Sequence, residues 1–493
     1  MDKLPTYLIT SPDNKTVIAQ CSSGKVYVGS DYRAFLQFLV NSADSPMEAP
    51  RVVWNIADLL AIIKSVVPEW AAESLSGEDH RADWNSDGIH YRIFYQPSKF
   101  IGIHAGGWGE EVTFYELDQF YPDNPPINTL ADVVSLSDAL VSALASLGVT
   151  EITNLKSPVS VIESSGLLDA VYKDMPNPDE IPDGCKEYAE LADAFGAWMT
   201  AYQVGYWKAG ERYSYDICSC YPSIAARLVT LDGADYKFSK KMLDGNYGFL
   251  KGYLFINPDL FCPPIVASIN EIGANPVGKI KGVFTLEQVR FIVGRGLGEF
   301  TLTDGWFITV NSGFTPLRSA MNRYFERRWE GALISFLAKR SIAGIIGRLG
   351  EHYRDTPTKY TNPVYHATVR NQASLMVGAA LIDRGITEDE LIRVNTDGFD
   401  CTRDLKLTRR SKLGQWRQSD SEPLLVLSSD KSYDGERCME MVEAIKASPS
   451  SSIYGDVDLL SLSGAQDRYF PKFPSSGGEL LRNKYKSQAP VSK

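Results

Sequence analysis

The sequence predicts a multidomain chain of mixed α/β and α+β class, on three observations. Its 493 residues, at roughly 150 per domain, leave room for about three domains. With 44% apolar, 11% aromatic and 23% charged residues, it has the composition of a folded globular protein, not a disordered or fibrous one. Strand-like runs alternate with helix-periodic runs through the first 200 residues. No stretch of about 18 uncharged apolar residues occurs, so no transmembrane helix and no membrane partner are expected. Met1-Asp2-Lys3-Leu4-Pro5 lacks the basic start and apolar core of a secretory signal. The seven cysteines, at 21, 185, 218, 220, 262, 401 and 438, include no CxxC pair. That argues against a disulfide framework or a zinc knuckle and fits a reducing, cytoplasmic compartment.

The elements follow in chain order. Tyr7-Leu8-Ile9-Thr10, Thr16-Val17-Ile18-Ala19 and Lys25-Val26-Tyr27-Val28 read as a three-stranded meander. Residues 59–63 and 130–147 carry apolar side chains three and four apart and read as helices. The Pro-rich stretch 175–184 ends this first domain, and a helix is expected through 194–202. Ser448-Pro449-Ser450-Ser451-Ser452 is a short low-complexity stretch, and a Gly/Ser-containing basic tail with Arg482, Lys484, Lys486 and Lys493 reads as mobile.

The net charge of −11 alone argues against a polyanion partner, but it is unevenly spread. Residues 1–200 hold 12 Lys and Arg against 29 Asp and Glu, whereas the remainder holds 38 against 32. Only the second part therefore suits nucleic acid.

Three constellations in that part carry chemistry. Tyr213-Ser214-Tyr215-Asp216-Ile217-Cys218-Ser219-Cys220-Tyr221-Pro222-Ser223 alternates like a strand up to Asp216, turns, and starts a helix near Pro222. A carboxylate at a strand end beside a helix start suits a divalent cation and a phosphate together. Residues 316–350 carry seven basic residues (Arg318, Arg323, Arg327, Arg328, Lys339, Arg340, Arg348) against two acidic ones, and Gly331 is expected to separate two helices. On the second helix Lys339, Ala343, Ile346 and Gly347 fall on one face. There small residues admit a flat base pair, and Lys339 with an upstream Arg neutralises triphosphate charge. Finally, Asn395-Thr396-Asp397-Gly398 lies between two β-rich runs, a hairpin signal with Asp397 at its tip. If the strands of Asp216 and Asp397 are neighbours, the two carboxylates could hold two Mg²⁺ about 3.5–4 Å apart.

In this order and spacing, the three pieces resemble the family B DNA polymerases, most closely the protein-primed branch of phages, viruses and linear plasmids. D-x-x-S-x-Y-P-S at 216–223 matches motif A, Lys339-x-x-x-Ala343-Gly344-x-Ile346-Gly347 matches motif B, and Asn395-Thr396-Asp397-Gly398 matches motif C. Lys412-Leu413-Gly414-x-Trp416 followed by Lys431-Ser432-Tyr433 resembles the family's K-x-Y element. Asn362-Pro363-Val364-Tyr365 resembles the entry to the palm helix. The resemblance covers roughly residues 200–440.

It implies a right-hand polymerase of palm, fingers and thumb, preceded by a ribonuclease-H-like exonuclease-type domain. The implied boundaries are 1–195 exonuclease-like, 196–315 palm with an insertion at about 228–305, 316–350 fingers, 351–433 palm, and 434–493 thumb and tail. Asp216 and Asp397 would be catalytic metal ligands for two Mg²⁺, with Mn²⁺ a substitute. Tyr221 would exclude a 2′-hydroxyl. Ser219, Lys339, Arg327 and Arg328 would bind the nucleotide, Lys431 and Tyr433 the primer-template end, with Asn395, Thr396 and Gly347 in support. The partners implied are template-primer DNA, dNTPs and a terminal priming protein, in the host cytoplasm if the chain is viral.

The departures are specific. Asn395 stands where the family has Asp, Gly398 where it has Ser, and Ala343 and Ile346 where it has Asn and Tyr. Asp400 is a candidate to compensate for Asn395. The first strand lacks the D-x-E of a proofreading nuclease. Asn55 and Asp58 resemble a remnant of the second nuclease motif, and Tyr188 and Asp193 one of the third. The first domain is therefore expected to have no exonuclease activity. The alternative is a polymerase-derived nucleic-acid-binding protein with weak or lost catalysis.

Overall fold

The computed structural model describes residues 3–447 without 12–15, 43–49, 98, 107–110, 122, 124, 165–166, 194–197, 270–271, 354–355, 408–411, 420–421, 428 and 430. The serine-rich stretch at 448–452 and the basic tail lie outside the described residues. Two compact units emerge: Met1–Lys173 with Arg323–Ile345, and Asp174–Asn322 with Ile346–Lys493. Among the described residues, no helix is long and apolar enough to cross a membrane.

The first unit runs β1 (Thr6–Thr10), β2 (Val17–Cys21), β3 (Val26–Gly29), α1 (Tyr32–Asn41), β4 (Arg51–Val53), α2 (Ile56–Val66), α3 (Glu69–Ser76), β5 (Arg81–Ser86), β6 (Ile89–Gln96), β7 (Phe100–Gly106), β8 (Glu111–Glu116), α4 (Leu130–Ser146), α5 (Pro158–Ser164) and α6 (Leu167–Tyr172). Its strands form one sheet in the order β3-β2-β1-β4-β8-β7-β6-β5. The meander of the first three strands is antiparallel, whereas β4 runs parallel to both β1 and β8. Tyr7, Phe35, Leu36, Ile63, Tyr91 and Phe114 belong to its core, all but removed from water. The helix expected at 130–147 starts at a reciprocal cap, Thr129 and Asp132 each bonding the other's backbone. The returning segment 323–345 belongs to this unit: Arg323 donates to the Leu147 carbonyl at 3.4 Å, and a Cβ on Gly344 would lie 2.7 Å from Val159.

The second unit opens with α7 (Asp183–Ala192), β9 (Met199–Ala201), β10 (Gly205–Trp207), β11 (Tyr213–Ile217), α8 (Cys220–Ala225), β12 (Asp235–Ser239) and β13 (Tyr247–Ile256). The hairpin β14 (Ala267–Ile269) and β15 (Ile272–Ala274) follows, then β16 (Gly278–Thr285), α9 (Leu286–Gly294) and β17 (Gly298–Thr309). Two helices, α10 (Arg318–Arg327) and α11 (Ala332–Arg348), are separated at Gly331, whose φ of +115° suits glycine alone. After the short hairpin β18 (His352–Tyr353) and β19 (Thr356–Pro357) come α12 (Pro363–Asp383), β20 (Leu391–Asn395), β21 (Gly398–Cys401), β22 (Trp416–Ser419), β23 (Leu424–Val426), β24 (Ser432–Asp434) and α13 (Gly435–Ala447).

The expected helix at 194–202 is not formed over its described end. Met199–Ala201 is instead an edge strand, paired antiparallel with Arg393–Asn395. A neighbouring strand with free backbone groups overrides the local apolar run.

Three sheets organise this unit: β22-β11-β21-β20-β9, β12-β17-β13-β16 and β10-β23-β24. The second buries Leu250, Leu254, Phe284 and Phe307 against Val289 and Ile292 of α9. Glu287, in the first turn of α9, is pushed up to about 7 by burial, although its own amide, Arg290 and Thr285 pull it down. The native state thus holds this proton more tightly than the unfolded chain, whose glutamates titrate near 4.5. Stability therefore falls as pH rises from about 4.5 through about 7. Glu287→Gln is expected to leave stability unchanged at pH 4 and to raise it at pH 8 by up to about 3 kcal/mol, read from urea unfolding at the two pH values.

Candidate active site

The register of β11 against β21 sets the two predicted aspartates side by side in the chain's path, Asp397 in the turn just before β21. Asp216 stands opposite Gly398, and the Ile217 amide donates to the Asp397 carbonyl at 3.0 Å. Tyr215 and Ile217 alternate into the core, which turns Asp216 to the other face, where its side chain is 34% exposed. Beyond the strand, Ser219 takes φ +50° and turns the chain into α8; its carbonyl accepts from the Ser223 amide at 2.9 Å. Thr396 turns the opposing hairpin with φ +63°, and its amide donates to the Trp198 carbonyl at 2.7 Å. A β-branched residue in this left-handed region costs on the order of 1–3 kcal/mol, stored beside Asp397. Gly398 cannot be larger without displacing the neighbouring strand, since a Cβ there would sit 2.6 Å from the Tyr215 carbonyl oxygen.

Both carboxylates face the start of α8. Burial pushes the Cys220 thiol far up, and the charges of Asp397 and Asp216 push it further. Tyr221, next in line, is raised first by burial and then by Asp397, while Arg370 opposes the shift. Arg370 donates to Asp193 Oδ2 at 3.3 Å, and His366 Nδ1 lies 2.6 Å from the same oxygen. Arg370 and His366 sit one turn apart on α12, whose start is capped by Asn362 accepting from the Tyr365 amide at 3.1 Å. A helix thus begins at Pro363, within the 362–365 run singled out in the sequence.

Asp400 does not join the pair. It lies two residues beyond Gly398, and its side chain is 4% exposed, clasped by two guanidinium groups. Arg212 bonds one of its oxygens, and Arg393 Nε donates to the other at 2.6 Å. Both arginines also reach Asp434, at 2.8 and 3.1 Å. Burial alone would lower the Arg393 pKa, but Asp400 and Asp434 more than reverse this. A carboxylate so enclosed cannot replace the charge that Asn395 lacks. Asn395 itself ends β20 exposed, its Oδ1 accepting from Thr396 Oγ1 at 3.3 Å.

A cation that the motifs did not reveal faces Asp216. Arg417 on β22 is its register partner across the strand pair, and Arg417 Nη2 donates to Asp216 Oδ2 at 2.9 Å. The pairing is held at its Ile217–Trp416 end. Trp416 packs edge-to-face on Phe399 at 5.4 Å, the Cys218 amide donates to the Gln415 carbonyl at 2.8 Å, and the Gly414 amide donates to the Cys218 carbonyl at 2.8 Å. The sequence held one trace of it, the K-L-G-x-W run that ends one residue before Arg417.

The other predicted residues occupy separate elements. Lys431 is exposed just before β24, and Tyr433 on that strand lies under the Arg437 guanidinium at 5.6 Å. Lys339, Arg327 and Arg328 lie in the segment assigned to the first unit. Arg327 pairs with Glu330 at 2.6 Å, and Lys339 is exposed. On α11, Lys339, Ala343 and Gly347 share an exposed face, and nothing lies within 4 Å of where a Gly347 Cβ would be. Ile346, read as part of that face, is buried instead.

In the first unit, Asn55 is a helix cap, accepting from the Ala57 and Asp58 amides and donating to Asp118 Oδ2 at 2.9 Å. Glu116 accepts from the Ile56 amide at 3.2 Å. Burial raises both Glu116 and Asp118, and neighbouring carboxylates raise them further. Tyr188 and Asp193 are engaged within the second unit, Tyr188 donating to Asp304 at 2.5 Å. Among the described residues, no group of three or more His, Cys, Asp or Glu side chains is placed to hold a metal ion.

No family model matches the chain, and no curated protein does. Solved structures do. Phi29 DNA polymerase complexed with primer-template DNA and incoming nucleotide substrates is similar with a TM-score of 0.56 at 11% identity, over 86% of each chain. The orthorhombic crystal form of Phi29 DNA polymerase gives 0.54 at 12% identity, over 86% of this chain and 85% of that one. Phi29 DNA polymerase complexed with single-stranded DNA gives 0.52 at 11% identity, over the same shares. The chain thus shares the fold of a DNA polymerase over most of its length.

Proposed function

We propose that this chain is a template-directed DNA polymerase of the protein-primed family B type. It adds dNMPs to a primer 3′-hydroxyl and lacks 3′–5′ proofreading. The observation that carries this reading is the neighbouring of Asp216, on β11, and Asp397, in the turn leading into the paired strand β21, beside Tyr221, in a polymerase fold. Mg²⁺ is commonly held by one or two carboxylates, waters and substrate phosphates, and this pair offers such a donor set. Bound there by Asp216 and Asp397 with the triphosphate, Mg²⁺ would activate the attacking hydroxyl and stabilise the leaving oxygen; Mn²⁺ would substitute.

The chain's own groups do the rest. Tyr221 closes the space a 2′-hydroxyl would need. Lys339, Arg327, Arg328 and Ser219 bind the nucleotide, and Lys431 and Tyr433 hold the primer-template end. Asn395, Thr396 and Gly347 shape the turn and the fingers face. Residues 196–315 and 351–433 form the palm, 316–350 the fingers, and 434–493 the thumb with its tail. The mixed sheet of the first unit, with no carboxylate on β1, supports an exonuclease-type domain without nuclease activity. A terminal protein serves as primer, and a phage or other mobile element in a host cytoplasm is the setting.

Primer extension tests the proposal. On a recessed primer-template with Mg²⁺ or Mn²⁺, the protein is expected to incorporate dNTPs and to discriminate against rNTPs. A mismatched primer end is expected to be extended or stalled upon, never trimmed. Absent incorporation with retained DNA binding would favour the second reading, a binding protein derived from a polymerase, which Asn395 and the Arg417–Asp216 pair speak for. Trimming of the mismatch would overturn the loss of proofreading.

A further inference from the structure

We infer that Arg417 is a built-in counter-ion that competes with divalent cations for Asp216, so that the carboxylate is held by the protein until a metal displaces the guanidinium. This inference rests on the proposed metal-binding role of the Asp216–Asp397 pair. The contact is a product of the fold, not of a wandering side chain. Arg417 is the direct cross-strand partner of Asp216, and Arg417 Nη2 meets Asp216 Oδ2 at 2.9 Å. Trp416, one residue earlier, is fixed on the Phe399 ring, and the 414–415 backbone is bonded twice to Cys218. Sliding β22 by one residue would put Arg417 on the other face, so the register that seats Trp416 also delivers Arg417 to Asp216.

Charge gives the contact its consequence. Asp216 and Asp397 are carboxylates, Asn395 adds no charge, and Arg417 offsets part of the negative charge at Asp216. A less negative site attracts a dication less, and the carboxylate oxygen facing Arg417 is engaged. The side chains are 47% and 34% exposed, so the pair is weak enough to open. A pairing of this strength delays metal occupancy without preventing it. Arg417 acts through Asp216 and is a positioning residue.

Mn²⁺ binding to the full-length protein, followed by electron paramagnetic resonance of free Mn²⁺, tests this without reference to activity. Arg417→Gln is expected to lower the Mn²⁺ dissociation constant about three- to tenfold, and Arg417→Lys to stay within about twofold of wild type. Asp397→Asn should weaken binding in every background. Unchanged thermal melts show that the variants are folded. If wild type binds Mn²⁺ through Asp397 but Arg417→Gln binds no tighter, the counter-ion role is wrong while the metal site stands. If Asp397→Asn has no effect, the metal site itself is wrong. If wild type binds no Mn²⁺ and Arg417→Gln gains binding, the inference holds in its strongest form; if neither binds, both ideas fall.

Discussion

Asp397→Ala is expected to reduce dNTP incorporation by at least about 10³-fold with either Mg²⁺ or Mn²⁺, while primer-template binding persists. Stabilising the charge of the attacking and leaving oxygens accounts for several kcal/mol of barrier, and each 1.36 kcal/mol is tenfold in rate. The substitution leaves the backbone intact: the Asp397 carbonyl still accepts from the Ile217 amide, so the hairpin keeps its register. Single-turnover extension at saturating dNTP measures the effect, and filter binding of labelled primer-template supplies the control. A variant that extends primers as well as wild type would remove the carboxylate from the chemistry.

The second large effect is on stability. Asp400→Ala leaves Arg212, 3% exposed, and Arg393, 10% exposed, facing each other without the anion between them. Breaking a buried ion network by removing one partner strands uncompensated charge and costs about 3–5 kcal/mol. Asp434 offsets part of this, because it contacts both guanidinium groups, but its side chain is 45% exposed and more screened. Urea unfolding followed by tryptophan fluorescence should show the loss. The effect is also expected to spread to β24, since Arg393 Nη1 bonds Ser432 there. A change below about 1 kcal/mol would mean that the network is replaceable by water.

The pairing of Asp216 with Asp397 was legible because both signals are local. One is an alternating strand that ends in a turn, and the other is a four-residue hairpin tip; adjacency then needed a single guess about which strands are neighbours. Arg417 and Arg370 were not legible, because their relevance comes from cross-strand register and from the placing of one helix beside another, neither of which has a sequence period. Asp400 was ambiguous for a related reason. Its charge was visible, but the two arginines that enclose it come from 188 positions upstream and 7 positions back. The misread helix at 194–202 failed where an apolar run met a free strand edge. Asn55 has the geometry of a helix cap, a role that its place before an apolar run allowed the sequence to show.

The division of the chain has a practical meaning for anyone wishing to isolate its pieces. A fragment ending at residue 173 would lack 23 residues of its own body, those of 323–345, including Gly344 against Val159 and the Ile345 carbonyl that receives the Tyr172 hydroxyl. The acidic leading portion is therefore not a detachable module. A soluble version calls for grafting the distant stretch back onto it, and an internal deletion between residues 316 and 350 would injure both bodies at once.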